Sequence, residues 1–213
     1  MTELPAPPPY YPVSLNVSGQ SCLVVGGGKV AARKARSLLD CGATVTVIAA
    51  AVSDDMEALV PALRSIERRE YAKGDVAAFR LVVTATGDPE VDGTVYEDAE
   101  AAGVWANSAD DPARCSFILP AVHRDGAVTV SVSTAGLSPA LASWLRTRLA
   151  AEAGQGLGVL AQLLGEARAS LKQAGLSSES VDWAPLLDGP VLELIRAGEI
   201  ESARVQVRAA AEL

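Results

Sequence analysis

The segment Leu23-Val-Val-Gly-Gly-Gly-Lys29 constrains the fold more strongly than any other part of the sequence. Its three apolar residues are typical of a strand that is buried on both faces of a parallel sheet. Three glycines follow at once, and apolar residues then recur at helical spacing over residues 29–39. A buried strand, a tight glycine turn and a helix in this order predict the first unit of a doubly wound parallel α/β sheet.

The same turn has the spacing of a phosphate-binding loop. In Gly26-x-Gly28-x-x-Ala31, the first glycine permits the turn, and the second lets a pyrophosphate approach the backbone. Ala31 is small enough for the helix to pack on the strand. The first turn of the helix offers its N–H groups and the positive end of its dipole to an anion. We therefore predict that the turn binds a dinucleotide; the alternative is a glycine turn with a structural role alone.

Strands and helices alternate through the first half of the chain. Apolar and β-branched runs predict strands over residues 11–17, 43–48, 65–71, 81–86 and 104–106. Helical spacing predicts helices over residues 53–63 and 90–102. Such alternation is typical of a Rossmann-like doubly wound sheet.

The pattern changes past Pro112. Two short apolar runs, residues 116–119 and 127–132, flank a turn at residues 124–126 and predict a small antiparallel β-hairpin. Helical spacing then predicts a C-terminal helical region, with helices over residues 138–153, 157–173, 191–197 and 200–211. We therefore place the end of the sheet domain near residues 112–120.

The composition argues against several classes of protein. A net charge of −8 is unfavourable for a surface that binds nucleic acid or an acidic membrane. The three cysteines are scattered and the sequence has one histidine, so we expect reduced, intracellular thiols and no zinc site. The N-terminus lacks a signal-peptide pattern, and no run of about 18 apolar residues occurs that could span a bilayer. We expect a cytoplasmic protein without a nucleic-acid or membrane partner.

The residues after the second strand bear on the choice of cofactor. NAD-binding folds commonly carry Asp or Glu there, for the ribose hydroxyls. In this chain Ala49, Ala50 and Ala51 occupy the position, and the acids Asp54 and Asp55 come later. The residues themselves leave NAD and NADP open.

Polar side chains follow the ends of two later strands. Ligands of doubly wound sheets lie beyond the carboxyl ends of the strands, so Thr86, Asn107 and Asp110 are expected to face the same crevice as the glycine turn. A carboxylate at Asp110 is placed to take a proton while a hydride leaves for nicotinamide. Alternatively, Asp110 or Asp111 caps a turn before the following proline, and Asn107 makes an Asx-turn rather than holding a ligand.

The second half of the chain offers further polar candidates. Ser133 and Thr134 could line a pocket for a substrate, since hydroxyls bind carboxylates well, or they are solvated strand-end residues. Arg114 is one of four arginines that could receive an acidic substrate, and the alternative is a solvated surface side chain. For His123 we expect a surface position, and for Cys115 a packing role.

Six short motifs carry a family resemblance. They are Tyr11-Pro-Val, Val24-Val-Gly-Gly-Gly-Lys-Val-Ala-Ala-Arg-Lys-Ala35, Val83-Thr-Ala-Thr86, Asn107-Ser-Ala-Asp-Asp-Pro112, Ser116-Phe-Ile-Leu-Pro-Ala121 and Ser131-Val-Ser-Thr-Ala-Gly-Leu-Ser-Pro-Ala140. In this order they resemble the precorrin-2 dehydrogenase family, to which the N-terminal half of bacterial siroheme synthase belongs. The resemblance runs over residues 11–149, and the part after residue 150 matches only in being helical.

The resemblance implies NAD-dependent oxidation of precorrin-2 to sirohydrochlorin, often followed by insertion of Fe²⁺ to give siroheme. Asp110 would correspond to the aspartate proposed as general base for both reactions. Lys29, Val30, Ala50 and Ala51 match positions that contact NAD in the family. The tetrapyrrole substrate supplies the ligands for the iron, so the family implies no metal site in the protein.

The resemblance also implies a homodimer whose hairpin segments interlock, with the active site between subunits. We accordingly divide the chain into an NAD-binding domain (residues 1–112), a segment for dimerisation and the active site (113–150) and a helical domain (151–213). The alternative function is a non-catalytic NAD-binding sensor module, which gives no account of Asp110 followed by the hairpin. We expect no methyltransferase half, and therefore no synthesis of precorrin-2 by this chain.

Overall fold

The computed structural model describes residues 9–109 and 111–212. The chain forms two compact units, Met1–Leu119 and Pro120–Leu213. The first contains a parallel sheet with helices, and the second contains a two-stranded antiparallel sheet followed by helices. These architectures confirm the predicted fold class. The finer division at residues 112 and 150 stays a prediction.

Five parallel strands form the sheet of the first unit. They are β1 (Ser21–Val25), β2 (Thr44–Ile48), β3 (Ser65–Glu67), β4 (Leu81–Thr84) and β5 (Trp105–Ser108). Their spatial order is β3-β2-β1-β4-β5, so the strand order reverses between β1 and β4. The glycine turn follows β1 directly, and a reversal of this kind is where doubly wound sheets bind their ligands.

Alternate residues of β1 pack on opposite faces of the sheet. The described helices of this unit are α1 (Lys29–Asp40), α2 (Asp54–Glu57) and α3 (Pro89–Ala102). Val24 belongs to the apolar cluster that includes α1, whereas Leu23 and Val25 belong to the cluster that includes α3. All three side chains are at most 2% exposed, and burial of each contributes about 1.5–3 kcal/mol. The prediction of a strand buried on both faces is confirmed.

Two predicted elements of the first unit are wrong. Residues 11–17 form no strand, and all of them except Val17 are exposed, so their alternating apolar side chains cover no sheet face. The helix predicted over residues 53–63 ends at Glu57. The ring of Pro61 would clash with the Glu57 carbonyl four residues earlier, and a short 3-10 turn, Val60–Ala62, forms instead.

The second unit begins with a β-hairpin. Strand β6 (Ala121–Asp125) pairs antiparallel with β7 (Val128–Val132) through a two-residue turn. The prediction of a first hairpin strand over residues 116–119 is wrong. Ser116 belongs to the first unit, where its N–H donates to the carbonyl oxygen of Ala106 at 2.9 Å.

Helices follow the hairpin in the described part of the second unit. They are α4 (Pro139–Ala153), α5 (Leu157–Gln173), α6 (Ala184–Leu187), α7 (Val191–Arg196) and α8 (Ile200–Ala210). All except α6 match predicted helices. Apolar residues of α5, α7 and α8, among them Leu163, Val191 and Val207, form one core. None of the helices in the described ranges is both long enough and apolar enough to cross a membrane.

Candidate functional site

The glycine turn after β1 is a close contact between backbone segments. A Cβ atom on Gly26 would lie 2.3 Å from the carbonyl oxygen of Ala85, and one on Gly27 would lie 2.0 Å from that of Ala51. Gly26 also has a φ of +118°, which other residues rarely adopt. Glycine therefore lets the ends of β1, β2 and β4 approach one another at this corner.

Gly28 differs from its two neighbours. A Cβ atom there would meet no heavy atom within 4 Å, so the space beside its backbone is open. Gly28 is the N-cap of α1, and the exposed residues Lys29 and Val30 begin the helix. The backbone N–H groups of this first turn lack partners within the helix. An open backbone at a helix N-terminus is the arrangement that binds a diphosphate.

A cavity of about 700 Å³ opens at the glycine turn. It is lined by Val25, Gly26, Gly27, Gly28, Ile48, Ala49, Ala50, Ala51, Val52, Ser53, Arg69, Glu70, Tyr71, Thr86, Asp88 and Val91. Five of the predicted cofactor residues line this one cavity: Gly26, Gly28, Ala50, Ala51 and Thr86. Lys29 and Val30 directly follow Gly28 but do not line the cavity. The volume and the small side chains around the open backbone fit a dinucleotide.

A buried carboxylate fixes the cavity wall at Thr86. Asp92 is 8% exposed, and its Oδ1 accepts hydrogen bonds from the hydroxyls of Thr84 and Thr86, the latter at 2.7 Å. The Thr86 hydroxyl in turn accepts the N–H of Asp88 at 3.0 Å. The sequence interpretation missed Asp92. The available signal was a Thr-x-Thr strand end followed by an acidic residue in the first turn of the next helix.

Charged residues after β3 are paired with one another. Arg69 binds Asp75 through hydrogen bonds of 2.5 and 3.0 Å and binds Glu67 through one of 2.9 Å. The hydrogen bonds from Arg69 lower the pKa of Asp75. Burial and a hydrogen bond to Asp98 raise the pKa of Tyr71, so its hydroxyl remains a donor. The cavity wall at Arg69 and Tyr71 is therefore polar, and the positive charge of Arg69 is paired with Asp75 and Glu67.

The loop after β5 contains the predicted catalytic residue, Asp110, which lies outside the described residues. The side chain of Asn107 is held at the start of this loop. It is 5% exposed, and its Nδ2 donates to the carbonyl oxygen of Phe117 at 2.9 Å. Its Oδ1 is buried and has no hydrogen-bond partner among the described atoms. A ligand-binding role for Asn107 stays a prediction.

Arg114 and Cys115 make further bonds in the same loop. Arg114 Nη1 donates to the carbonyl oxygen of Pro89 at 2.6 Å, and its Nε lies 3.5 Å from a carboxylate oxygen of Asp111. The thiol of Cys115 lies 3.3 Å from the carbonyl oxygens of both Ser108 and Asp111. Burial raises the pKa of this thiol, so it is protonated and serves as a donor. These contacts link the loop to itself and to α3.

Ser133 and Thr134 lie in the second unit, just before α4. The Ser133 hydroxyl accepts the N–H of Ala135 at 3.1 Å, and the Thr134 hydroxyl accepts that of Ser138 at 3.0 Å. Ala135 has a φ of +51°. Both hydroxyls therefore hold a tight turn at the start of the helix, and their role toward a substrate stays a prediction.

The chain is similar to several known proteins over nearly its whole length. It is 37% identical to siroheme synthase of Nitrosococcus oceani over 206 residues, which is 95% of this chain and 44% of that protein. It is 38% identical to siroheme synthase of Methylococcus capsulatus, over 94% of this chain and 43% of that protein. The chain thus spans less than half the length of these curated relatives.

A solved structure of SirC, described as precorrin-2 dehydrogenase, is also similar. It matches with 25% identity and a TM-score of 0.71, over 94% of this chain and 100% of that chain. These likenesses confirm the resemblance that the six sequence motifs predict.

The sequence profile of one family covers the sheet and its cavity. This family, described as "Putative NAD(P)-binding", matches residues 13–121 of the 213. The matched region contains all five strands of the parallel sheet, the glycine turn and every residue of the cavity wall. Because the match covers more than half of the chain and includes the corner that fits a dinucleotide, the chain belongs to this NAD(P)-binding family.

Proposed function

We propose that this chain oxidises precorrin-2 to sirohydrochlorin with NAD as the oxidant. The observation that carries the proposal is the cavity at the glycine turn, in a chain that matches a precorrin-2 dehydrogenase over the whole of that structure. We also propose that the protein works in the cytoplasm, in keeping with its few, scattered cysteines.

The glycine corner is the proposed cofactor site. The backbone of Gly28 and the first turn of α1 hold the diphosphate, and Ala50 and Ala51 leave room for the adenosine half. Thr86, held by Asp92, offers a polar wall after β4. A bound NAD supplies the acceptor for the hydrogen and the electrons that leave the tetrapyrrole.

Asp110 is the residue that we propose to accept the proton lost by the tetrapyrrole. It follows β5, the neighbour of β4, and ligands of such sheets lie beyond these strand ends. Asn107, Arg114, Ser133 and Thr134 remain proposed substrate contacts. Their amide, guanidinium and hydroxyl groups suit the carboxylates of a tetrapyrrole.

We propose a homodimer that forms through the second unit. Leu137 lies just before α4, Leu141 and Trp144 lie one turn apart near its start, and the three side chains are 62%, 47% and 54% exposed. A stripe of large apolar side chains exposed to this degree favours a protein partner over water. Trp144→Glu is expected to convert a dimer into monomers, which analytical ultracentrifugation measures; an unchanged mass would place the interface elsewhere.

The name siroheme synthase in the relatives favours a second activity, insertion of Fe²⁺ into sirohydrochlorin. In this step Fe²⁺ is a substrate, the macrocycle supplies its ligands, and Asp110 is the proposed acceptor of the departing pyrrole protons. Anaerobic incubation with sirohydrochlorin and Fe²⁺ tests this activity. The spectrum of siroheme is expected, and an unchanged sirohydrochlorin spectrum would remove the second activity alone.

The oxidation is tested by the formation of NADH when precorrin-2 is added to the protein with NAD. We expect NADH and sirohydrochlorin in equal amounts from the natural sequence. Asp110→Asn is expected to slow the reaction by about 10²–10⁴-fold, the usual contribution of a general base. A folded protein that binds NAD but forms no NADH would favour the sensor module instead. An unchanged rate in Asp110→Asn would overturn the role of that residue alone.

A further inference from the structure

Three alanines follow β2, at the position where NAD-binding folds commonly carry an acid. Such an acid accepts hydrogen bonds from the ribose hydroxyls of the adenosine half. Ala49, Ala50 and Ala51 line the cavity at the glycine turn. An alanine side chain offers no hydrogen-bond acceptor, so the ribose hydroxyls of a bound dinucleotide need an acceptor from another element.

The next strand of the sheet brings an acid to the same edge. Strand β3 pairs parallel with β2, with Glu67 opposite Ile48, and the N–H of Ala49 donates to the carbonyl oxygen of Glu67 at 3.0 Å. The segments that follow the two strands therefore leave the sheet side by side. Glu70 belongs to the segment after β3 and lines the same cavity as the three alanines.

Glu70 differs from Asp88, the other acid of the described cavity wall. Asp88 is the N-cap of α3, and its Oδ1 accepts the N–H of Glu90 at 2.9 Å. It also follows β4, which lies on the other side of β1 from β2 and β3. Glu70 is exposed, and its carboxylate makes no hydrogen bond or ion pair with residues 9–109 or 111–212. Glu70 is therefore the acid that this wall leaves available to a ligand.

Arg69 is the cation of the described wall, and its guanidinium group is already engaged. A nearby arginine is what accommodates the 2′-phosphate in folds that bind NADP. Nη1 and Nη2 of Arg69 donate to Asp75 at 2.5 and 3.0 Å, and Nε donates to Glu67 at 2.9 Å. Nη1 also donates to the carbonyl oxygen of Glu70 at 3.0 Å. The positive charge of this wall is therefore paired with two acids, whereas the negative charge of Glu70 is unpaired.

We propose that Glu70 selects NAD over NADP, because its carboxylate accepts the ribose hydroxyls of the adenosine half and repels a 2′-phosphate. The inference rests on the proposed function, in which the cavity holds a nicotinamide dinucleotide. The acid that is missing after β2 is supplied after β3. A 2′-phosphate brings about two negative charges to a wall whose unpaired charge is negative, and the donors of Arg69 are held by Asp75 and Glu67.

The test measures the dissociation constants of NAD and NADP by calorimetric titration of the full chain. The natural sequence is expected to bind NAD at least about tenfold more tightly than NADP. Glu70→Gln removes the charge at nearly constant size, and the preference for NAD is expected to fall at least about tenfold, the usual worth of a hydrogen bond to a charged group. Glu70→Arg should bind NADP more tightly than the natural sequence does, a gain that a misfolded protein cannot produce.

Glu100→Gln and Glu100→Arg are the matched controls. Glu100 is also exposed, lies near the end of α3 and does not line the cavity, while its substitution changes the net charge by the same amount. Both controls should keep the natural preference within about twofold. Three results would overturn the inference: an unchanged preference in the Glu70 variants, equal affinity of the natural sequence for NAD and NADP, or a gain in NADP affinity in Glu100→Arg as large as in Glu70→Arg.

The titrations need no tetrapyrrole, so they separate this inference from the proposed reaction. If the natural sequence prefers NAD and the Glu70 variants lose that preference, the inference is supported even when precorrin-2 yields no NADH. In that case the proposed reaction alone fails. If the natural sequence binds neither dinucleotide, the inference is overturned together with the proposed cofactor site.

Discussion

The glycine turn after β1 and the loop after β5 lie at the same end of one sheet, but different forces hold them. At the turn, Gly26 and Gly27 bring backbone against backbone, with no room for a side chain. At the loop, the side chains of Asn107, Arg114 and Cys115 reach carbonyl oxygens elsewhere in the chain. A site made of backbone tolerates no added atom, whereas a loop held by side chains can shift slightly when one bond is lost. Changes at the turn should therefore affect folding and cofactor binding, and changes at the loop should affect the rate.

The largest expected effect is at Gly27. In Gly27→Ala the new Cβ atom would lie 2.0 Å from the backbone oxygen of Ala51, which cannot move without displacing the end of β2. We expect the free energy of unfolding to fall by about 3 kcal/mol, as for severe overpacking. Urea unfolding followed by circular dichroism measures it. A fall of less than about 1 kcal/mol would show that this corner is looser than the structure indicates.

Gly28→Ala is the matched comparison on the same turn. Its Cβ atom would enter open space, so the free energy of unfolding should stay within about 0.5 kcal/mol of the natural value. That space is where we place the diphosphate, and the dissociation constant for NAD is expected to rise at least about tenfold. Calorimetric titration with NAD measures it, and an unchanged affinity would move the diphosphate away from this turn.

Asp92 is expected to give the next largest effect. Asp92→Ala would leave the hydroxyls of Thr84 and Thr86 without their buried acceptor, which costs about 1–3 kcal/mol in the free energy of unfolding. Asp92→Asn keeps one acceptor oxygen and should lose less. Urea unfolding of both variants checks the order. Equal losses would mean that packing around Asp92, rather than these hydrogen bonds, holds the wall at Thr86.

Asn107 tests the loop side of the comparison. Asn107→Ala removes the bond to the Phe117 carbonyl and is expected to cost about 1–2 kcal/mol in the free energy of unfolding, with the dissociation constant for NAD unchanged. Unfolding and NAD titration of the same sample measure both. A weaker affinity for NAD in this variant would contradict the separation between the two regions.

The smallest expected effect is at Tyr71, where the hydrogen bond to Asp98 contributes about 1 kcal/mol. Because the pKa of Tyr71 is raised in the folded protein, its contribution is fully present below the unfolded pKa of about 10 and is lost as the pH rises through the folded value. The stability of the natural sequence should therefore fall more steeply above about pH 10 than that of Tyr71→Phe. Unfolding curves on both sides of that pH measure the difference, and parallel slopes would contradict it.

The difference between the two regions also explains how much the sequence could predict. The strand, the glycine turn and α1 are adjacent in the chain, so a local pattern specifies the corner and the residues that gather there. The first strand of the hairpin is Ala121–Asp125 rather than residues 116–119. Ser116 bonds to Ala106 instead, and an apolar run in the sequence does not reveal such a tertiary contact. The helix after Ser53 ends at Glu57, earlier than the helical spacing predicts, because Pro61 cannot continue it.

The contacts of the Arg114 side chain with α3 could not be predicted from the sequence for the same reason. The rest of α3 and all of β5 lie between Gly93 and Arg114, and no sequence pattern joins the two residues. Only the fold brings them together. Asp92 was an intermediate case, since it is close in sequence to Thr86 but looked like an ordinary acidic residue in the first turn of a helix.

The most direct test of the account is single-turnover formation of NADH from precorrin-2, measured over a series of NAD concentrations. The natural sequence should form NADH. Gly28→Ala should need more NAD for half of the maximal rate, and Asp110→Asn should reach a lower maximal rate at the same half-saturating NAD. If the natural sequence forms no NADH at any NAD concentration, or if the two variants exchange their effects, the assignment of cofactor binding to the glycine turn and of proton transfer to the loop is contradicted.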